Sequence, residues 1–349
     1  MVFAAETDIW RYQAHPEVWI LVLGAIGLAW YAVRVVGPNA VPPGQPIVTR
    51  RNKVAYVAAV LALWAASDWP MHDVSEEYLY SVHMVQHLIF SMIVPPLLLA
   101  AMPEWLARLI MSSDGTAGVW IRRLSHPVVA GGVFNFVVIL THLTPVVNYS
   151  VENGPFHYLV HTVVFFSSLM MWIPVCGPIK ELRLGLPGQM VYLFLMSVIP
   201  TVPAGFLTFA EGTLYDAYDH DVRLWGIDIA TDQQMAGLIM KLVGGLYLWS
   251  WIVVRLALYS TATRSSRELV LVETDQRGGG EPGAGGGAPD APAGPDSPDT
   301  PDARVPGDGE TPDDALVDAG VPALSDEELT FEAVQAEFDR SHPAPPERI

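Results

Sequence analysis

Seven stretches of about 20 mostly apolar residues dominate this chain, at roughly 17–36, 54–71, 79–101, 128–147, 156–176, 189–210 and 233–260. A hydrocarbon core about 30 Å thick takes about 20 helical residues to cross. Only helices and closed barrels satisfy their backbone groups inside it. The expected fold is therefore all-α, a polytopic integral membrane bundle of seven transmembrane helices in the cell (plasma) membrane. Glu6 and Asp8 precede the first stretch where a cleaved signal would carry basic residues, and no A-x-A site follows, so that stretch is expected to remain as a span.

Lys and Arg alternate strictly between the two sets of loops. One set holds Arg34, Arg50, Arg51 and Lys53, then Arg108, Arg122 and Arg123, then Lys180 and Arg183, with Arg255, Arg264 and Arg267 at the end of the last stretch. The opposite set holds only Arg11 and Arg223. The positive-inside rule then predicts an N-terminus outside and a C-terminus in the cytoplasm. The outer loops are acidic instead, with Asp68, Asp73, Glu76 and Glu77 in one and Asp216, Asp219, Asp221, Asp228 and Asp232 in another. Such charge concentrates cations at an outward-facing site.

The net charge of −18 belongs mostly to one segment. Residues 273–349 hold 19 Asp and Glu against 4 Arg, so the membrane part is close to neutral and offers no basic footprint for nucleic acid. The predicted organisation is an extracytoplasmic segment over 1–16, a seven-helix membrane domain over 17–262 and a cytoplasmic tail over 263–349. The Gly-, Pro- and Asp-rich tail cannot bury enough apolar surface to fold and is predicted to be disordered. Its exception is 325–340, where Ser325 and Glu328 form a capping box ahead of Leu329, Phe331, Val334 and Phe338. That short helix either frays in solution or docks on a cytoplasmic partner.

Histidine carries the chemistry. His83 and His87 lie early in the third stretch, His157 and His161 early in the fifth, and His142 near the end of the fourth. Each i,i+4 pair puts both rings on one helix face. At 1.5 Å per residue, His83 and His87 fall about 6 and 12 Å below the outer end of their helix, and the other three share that slab. Ionisable or metal-binding side chains at membrane depth are rare and read as functional. Imidazole suits copper, zinc or iron, and nearby thioethers suit Cu(I). Met71, Met84 and Met235 are the candidates for that role.

Other polar residues have plainer readings. His72 and His220 are expected to be solvated in outer loops, with His72 an auxiliary candidate, while His15, His126 and His342 are expected to be structural or incidental. Asp232 either caps the seventh helix or orients a ligand histidine. Lys241 sits about 12 Å down that helix and snorkels, pairs or lines a cavity. Cys176, the lone cysteine, is expected to be a small buried apolar residue. Pro95-Pro96 and Pro200 with Pro203 predict kinks.

At these residues the chain resembles the multi-spanning CtaG-type cytochrome c oxidase assembly proteins of Gram-positive bacteria. The strings that carry the resemblance are HMVQHLIFSMIVPPLLLAAMP from His83, HP at His126, HLTPVVNYSVENGPFHYLVHTVVFFSSLMMWIPVCGP from His142 and DQQMAGLIM from Asp232. They cover most of residues 65–260. The acidic tail and Lys241 depart from the pattern. The resemblance implies seven transmembrane helices and a role in maturing haem–copper oxidase, through copper supply to its catalytic subunit. It also implies His83, His87, His142, His157, His161 and Asp232 as motif positions.

The combined expectation is a non-enzymatic assembly factor that binds copper at these histidines and passes it to the oxidase within the bilayer. A haem-bearing cytochrome, with His83 or His87 facing His142, His157 or His161 across the iron, is the first alternative. A copper transporter and a metal-free scaffold are the others.

Overall fold

The computed structural model describes residues 11–111, 116–219 and 223–278, and the side chains of 11–111, 118–219 and 223–264. The proposed tail helix 325–340, His220 and His342 lie outside these. The described chain is all-helical apart from its connections. Helices α1 (Pro16–Ala40), α4 (Tyr80–Ala101), α9 (Gly154–Cys176), α10 (Leu186–Phe209) and α11 (Ile229–Arg264, running on to Gly278) are each long and apolar enough to cross a membrane. Two bent pairs bring the number of spans to as many as seven. Helices α2 (Arg50–Ser67) and α3 (Met71–Glu77) meet at 43°. The segment Gly118–Leu124 meets α7 (Pro127–Thr141) at 78°. The protein is a multi-pass protein of the plasma membrane.

Helices α5 (Glu104–Met111), α6 (Thr116–Leu124) and α8 (Thr144–Glu152) complete the order. The fourth apolar stretch, expected over 128–147, ends instead at Thr141. Pro145 restricts the residues before it, so Leu143 and Thr144 restart the chain as α8 with the proline in its first turn. The acidic loop expected after the second stretch is helix α3, with Asp73 and His72 buried. At the other end α11 continues unbroken past residue 262, where the membrane domain was expected to close, and past the composition change at 273.

Helix α4 is central, with 61% of its apolar window buried against 11% for α1 at the periphery. It packs on α2, α9 and α11. The outward faces stay apolar, with Leu28, Val128, Phe206 and Phe209 exposed, as a lipid-facing surface requires. Gly237 of α11 has no room for a side chain, because a Cβ there would lie 2.6 Å from Thr208 Oγ1 and 2.7 Å from the Ala204 carbonyl of α10.

Just ahead of Pro95-Pro96, where a kink was expected, helix α4 departs from regular α winding. Residues Ile89–Ile93 wind as a single wide π-turn. Pro95 has no N–H to offer the Ser91 carbonyl four residues back. The indole of Trp172, a fully buried residue of α9, donates to that carbonyl instead at 2.9 Å. This turn of α4 is thereby tied to α9, the helix carrying His157 and His161. Helix α10 likewise breaks at Ile199 and Pro200.

Candidate metal centre

Helix α4 begins one turn before His83, and its first N–H groups have no partner within the helix. Asp232, from the first turn of α11, supplies one. Its buried carboxylate accepts from the Tyr80 N–H at 2.7 Å and the Ser81 N–H at 3.1 Å. The cap of α11 itself is Asp228, which accepts from the Thr231 N–H at 3.0 Å. Asp232 is therefore not the cap of its own helix, and no hydrogen bond joins it to any of the described histidines. It fixes the start of the helix that bears two of them. Gln233, beside it, holds Leu214 and Tyr215 by accepting from the Leu214 N–H at 2.8 Å and donating to the Tyr215 carbonyl at 3.3 Å.

Helix α9 starts with Asn153 as its cap, accepting from the Phe156 N–H at 3.1 Å, and Pro155 in its first turn. That start brings His157 and His161 opposite His83 and His87. Ring centroids lie 4.4 Å apart for His83 and His87, 4.3 Å for His157 and His161, and 4.7 Å for His87 and His161. The His83 ring is 5.5 Å from His157 and 5.4 Å from His161. Ligand atoms of His83, His157 and His161 all lie within 4.8 Å of one another. Among the described residues these three make the one His, Cys, Asp or Glu set so arranged.

His142 ends α7, with Nδ1 bonded to the Val138 carbonyl at 2.6 Å. Since a carbonyl only accepts, the proton is on Nδ1 and the Nε2 lone pair is free. All five histidines line one cavity of about 20 Å³, together with Tyr80, Met84 and Tyr218. A second cavity of about 50 Å³ shares His87, His142 and Met84 with it and adds Met92, Met196, Met240 and Lys241.

The donor set is what a metal ion needs. His83 Nδ1 and the Nε2 atoms of His87, His142, His157 and His161 are all buried without a hydrogen-bond partner. An unsatisfied buried polar atom costs about 1–3 kcal/mol, and native structures contain few of them. Five such nitrogens lie around one small space, and three of them, from His83, His157 and His161, are close enough together to hold one ion. The second nitrogen of His157 is oriented from outside by Ser150 Oγ at 3.1 Å, as ligating imidazoles usually are.

Several neighbours were not legible as site residues. Glu76 Oε1 lies 2.9 Å from His157 Nε2 and 3.2 Å from His72 Nδ1, close enough for charge attraction but without hydrogen-bond alignment. His72, an auxiliary candidate expected to be solvated, is instead buried beneath His15, with ring centroids 4.6 Å apart. His15, expected to be structural or incidental, bonds Asp73 at 2.6 Å. Tyr80 packs between Tyr215 and Tyr218, at 4.7 and 5.1 Å, and the Tyr218 ring is itself 6.3 Å from that of His83. Glu76 sits seven residues before His83, and its signals in the sequence were that proximity and its place among the acidic residues of the outer loop.

Of the three methionines, Met84 is buried and lines both cavities, while Met71 and Met235 line neither and Met235 is exposed. Cys176 lies at the other end of α9, its thiol on the Trp172 carbonyl at 3.5 Å. Lys241 is exposed on a π-turn of α11 at the edge of the second cavity.

No curated protein and no solved structure matches this chain. A family model does, over residues 9–261, which take in α1 to α10 and most of α11; it is described as the cytochrome c oxidase caa3 assembly factor, Caa3_CtaG. The chain thus belongs to the caa3 assembly factors, proteins that serve the building of cytochrome c oxidase and are not enzymes.

Proposed function

We propose that this protein binds copper at His83, His157 and His161, with His87 and His142 as exchange ligands, and hands it to the catalytic subunit of cytochrome c oxidase. The single observation that carries this reading is the convergence of five buried ring nitrogens on one small space, none of them in a hydrogen bond and only His157 Nε2 beside a carboxylate, Glu76 Oε1 at 2.9 Å. Copper is the cargo here. A soft-to-borderline ion suits an all-imidazole set with the Met84 thioether beside it. Five available nitrogens exceed what one ion uses, so ligands can be exchanged stepwise toward an acceptor rather than closing a permanent shell. The Lys/Arg asymmetry supports seven spans with the N-terminus outside, which puts the histidines toward the outer face and the tail, with its 325–340 helix, in the cytoplasm.

The test is elemental analysis and optical spectroscopy of the purified full chain, with the His83→Ala/His87→Ala double variant alongside it. The variant should insert and accumulate yet lose bound copper and yield inactive oxidase. His126→Ala, exposed at the far end of α7, should match wild type. Normal copper and normal oxidase in the double variant would refute the reading, and a Soret band in the wild type would point to haem.

A further inference from the structure

Lys241 stands in the middle of a membrane span, and the copper reading does not use it. At 1.5 Å per residue it lies about 18 Å along α11 from Ile229 and about 21 Å before Arg255, too far from either end to snorkel to an interface. The helix winds there as a π-turn, Met240–Gly244. Lys241 is exposed, and so are Leu238, Leu242, Val243 and Leu246 around it. Among the described residues its side chain has no hydrogen-bond or ion-pair partner. A lysine on a lipid-facing surface is costly, and charges at that depth are normally paired or turned toward a cavity.

The chain has no carboxylate of its own to offer there. No Asp or Glu occurs between 18 and 67, 78 and 103, 115 and 151, 153 and 180, 182 and 210, or 233 and 267. Asp232, the nearest along α11, is buried in its first turn and engaged with Tyr80 and Ser81. A second copy of this chain beside it in the bilayer has none at that depth either, so the missing carboxylate belongs to a different protein. The surroundings of Lys241 also connect inward. Ser197, Pro200 and Thr201, at the break in α10, line the same cavity as Lys241, and so do His87 and His142. Gly244 of the π-turn packs on α4 so closely that a Cβ there would lie 3.2 Å from Leu88 Cδ2, on the residue after His87.

We propose that the face of α11 around Lys241 docks a membrane-spanning helix of another protein, one that carries an Asp or Glu at mid-depth. The lysine and that carboxylate pair out of water, where opposite charges at close range attract far more strongly than in solvent. Leu238, Leu242 and Leu246 pack on the apolar side of the same helix. Docking here serves the proposed copper hand-over and rests on it, so the partner is the catalytic subunit of the oxidase. In place, that subunit covers the side of the second cavity that Lys241 borders, and His87 and His142 line the same cavity.

The experiment places the photo-crosslinker benzoylphenylalanine in the full chain, in cells that assemble the oxidase, at Leu246 and, as a control, at Leu28 of the peripheral α1. Light should link the Leu246 position, 69% exposed, to the oxidase catalytic subunit, identified with an antibody. The linked peptide should lie beside an Asp or Glu of a membrane-spanning segment. The Leu28 position, 72% exposed, should link to lipid alone. Lys241→Met should lower the yield of the link by about thirtyfold, the scale on which truncating one partner of a buried charge pair weakens binding, and Lys241→Arg should keep most of it. Both variants should bind copper as wild type does, which also shows that they are folded. A wild-type yield in Lys241→Met, a linked segment with no carboxylate, or links to lipid or a second copy alone would overturn the docking face. Loss of copper from both variants would make Lys241 a structural residue and overturn it too. A wild type that binds no copper yet links through Leu246 refutes the copper reading alone, so the two failures are distinguishable.

Discussion

The carboxylate of Asp232 accepts the backbone N–H of Tyr80 at 2.7 Å, so the start of the helix carrying His83 is set by a residue 152 positions away. Asp232→Ala removes an acceptor from two N–H groups in a buried place. The expected loss is about 1–2 kcal/mol of stability, the scale of a lost helix cap. Copper affinity should fall by roughly tenfold because His83 moves with the start of its helix. Asp232→Asn keeps an oxygen acceptor and should lie between. Thermal unfolding in detergent and copper titration measure both effects, and wild-type values for Asp232→Ala would contradict this role.

His161 Nε2 is buried and unpartnered, which makes an unusual sign expected for its replacement. His161→Leu trades an unsatisfied nitrogen, worth about 1–3 kcal/mol of penalty, for an apolar group of similar size. The metal-free variant should melt at or above the wild-type temperature, while the rise in melting temperature on adding copper should shrink. A metal-free variant far less stable than wild type would mean that the ring is held by hydrogen bonds rather than waiting for an ion.

Trp172 donates to the Ser91 carbonyl in the π-turn of α4. Trp172→Phe keeps most of the ring but leaves that carbonyl opposite Pro95 with no donor. A loss of about 1–3 kcal/mol is expected. Faster hydrogen exchange should be confined to the turn Ile89–Ile93. Unchanged stability and unchanged exchange would show that the carbonyl finds another partner.

What the sequence made legible followed from short-range pattern. Apolar length located the long helices, and i,i+4 spacing put His83 with His87 and His157 with His161 on shared faces. His142 was found by depth alone, and Pro145, in plain view, already argued that its helix stopped there. The rest depended on contacts between distant segments. Asp68 to Glu77 looked like an acidic outer loop because charge counts carry no information on burial, yet Asp73 and His72 pack under His15 from the start of α1. Asp232 caps a helix other than its own, and local capping rules describe only the helix that follows. Met71 and Met235 shared the right depth but face elsewhere, since depth fixes height along a helix and not the direction around it.

The most direct measurement is copper K-edge X-ray absorption on the full chain loaded with one equivalent of copper, compared with a His83→Ala/His157→Ala/His161→Ala variant. A first shell dominated by imidazole nitrogen is expected for wild type, with outer-shell scattering from the rings, and no tightly held copper in the variant. Copper bound by the variant with an unchanged spectrum, or a wild-type shell of oxygen with no imidazole, would contradict a histidine site at the heart of this assembly factor.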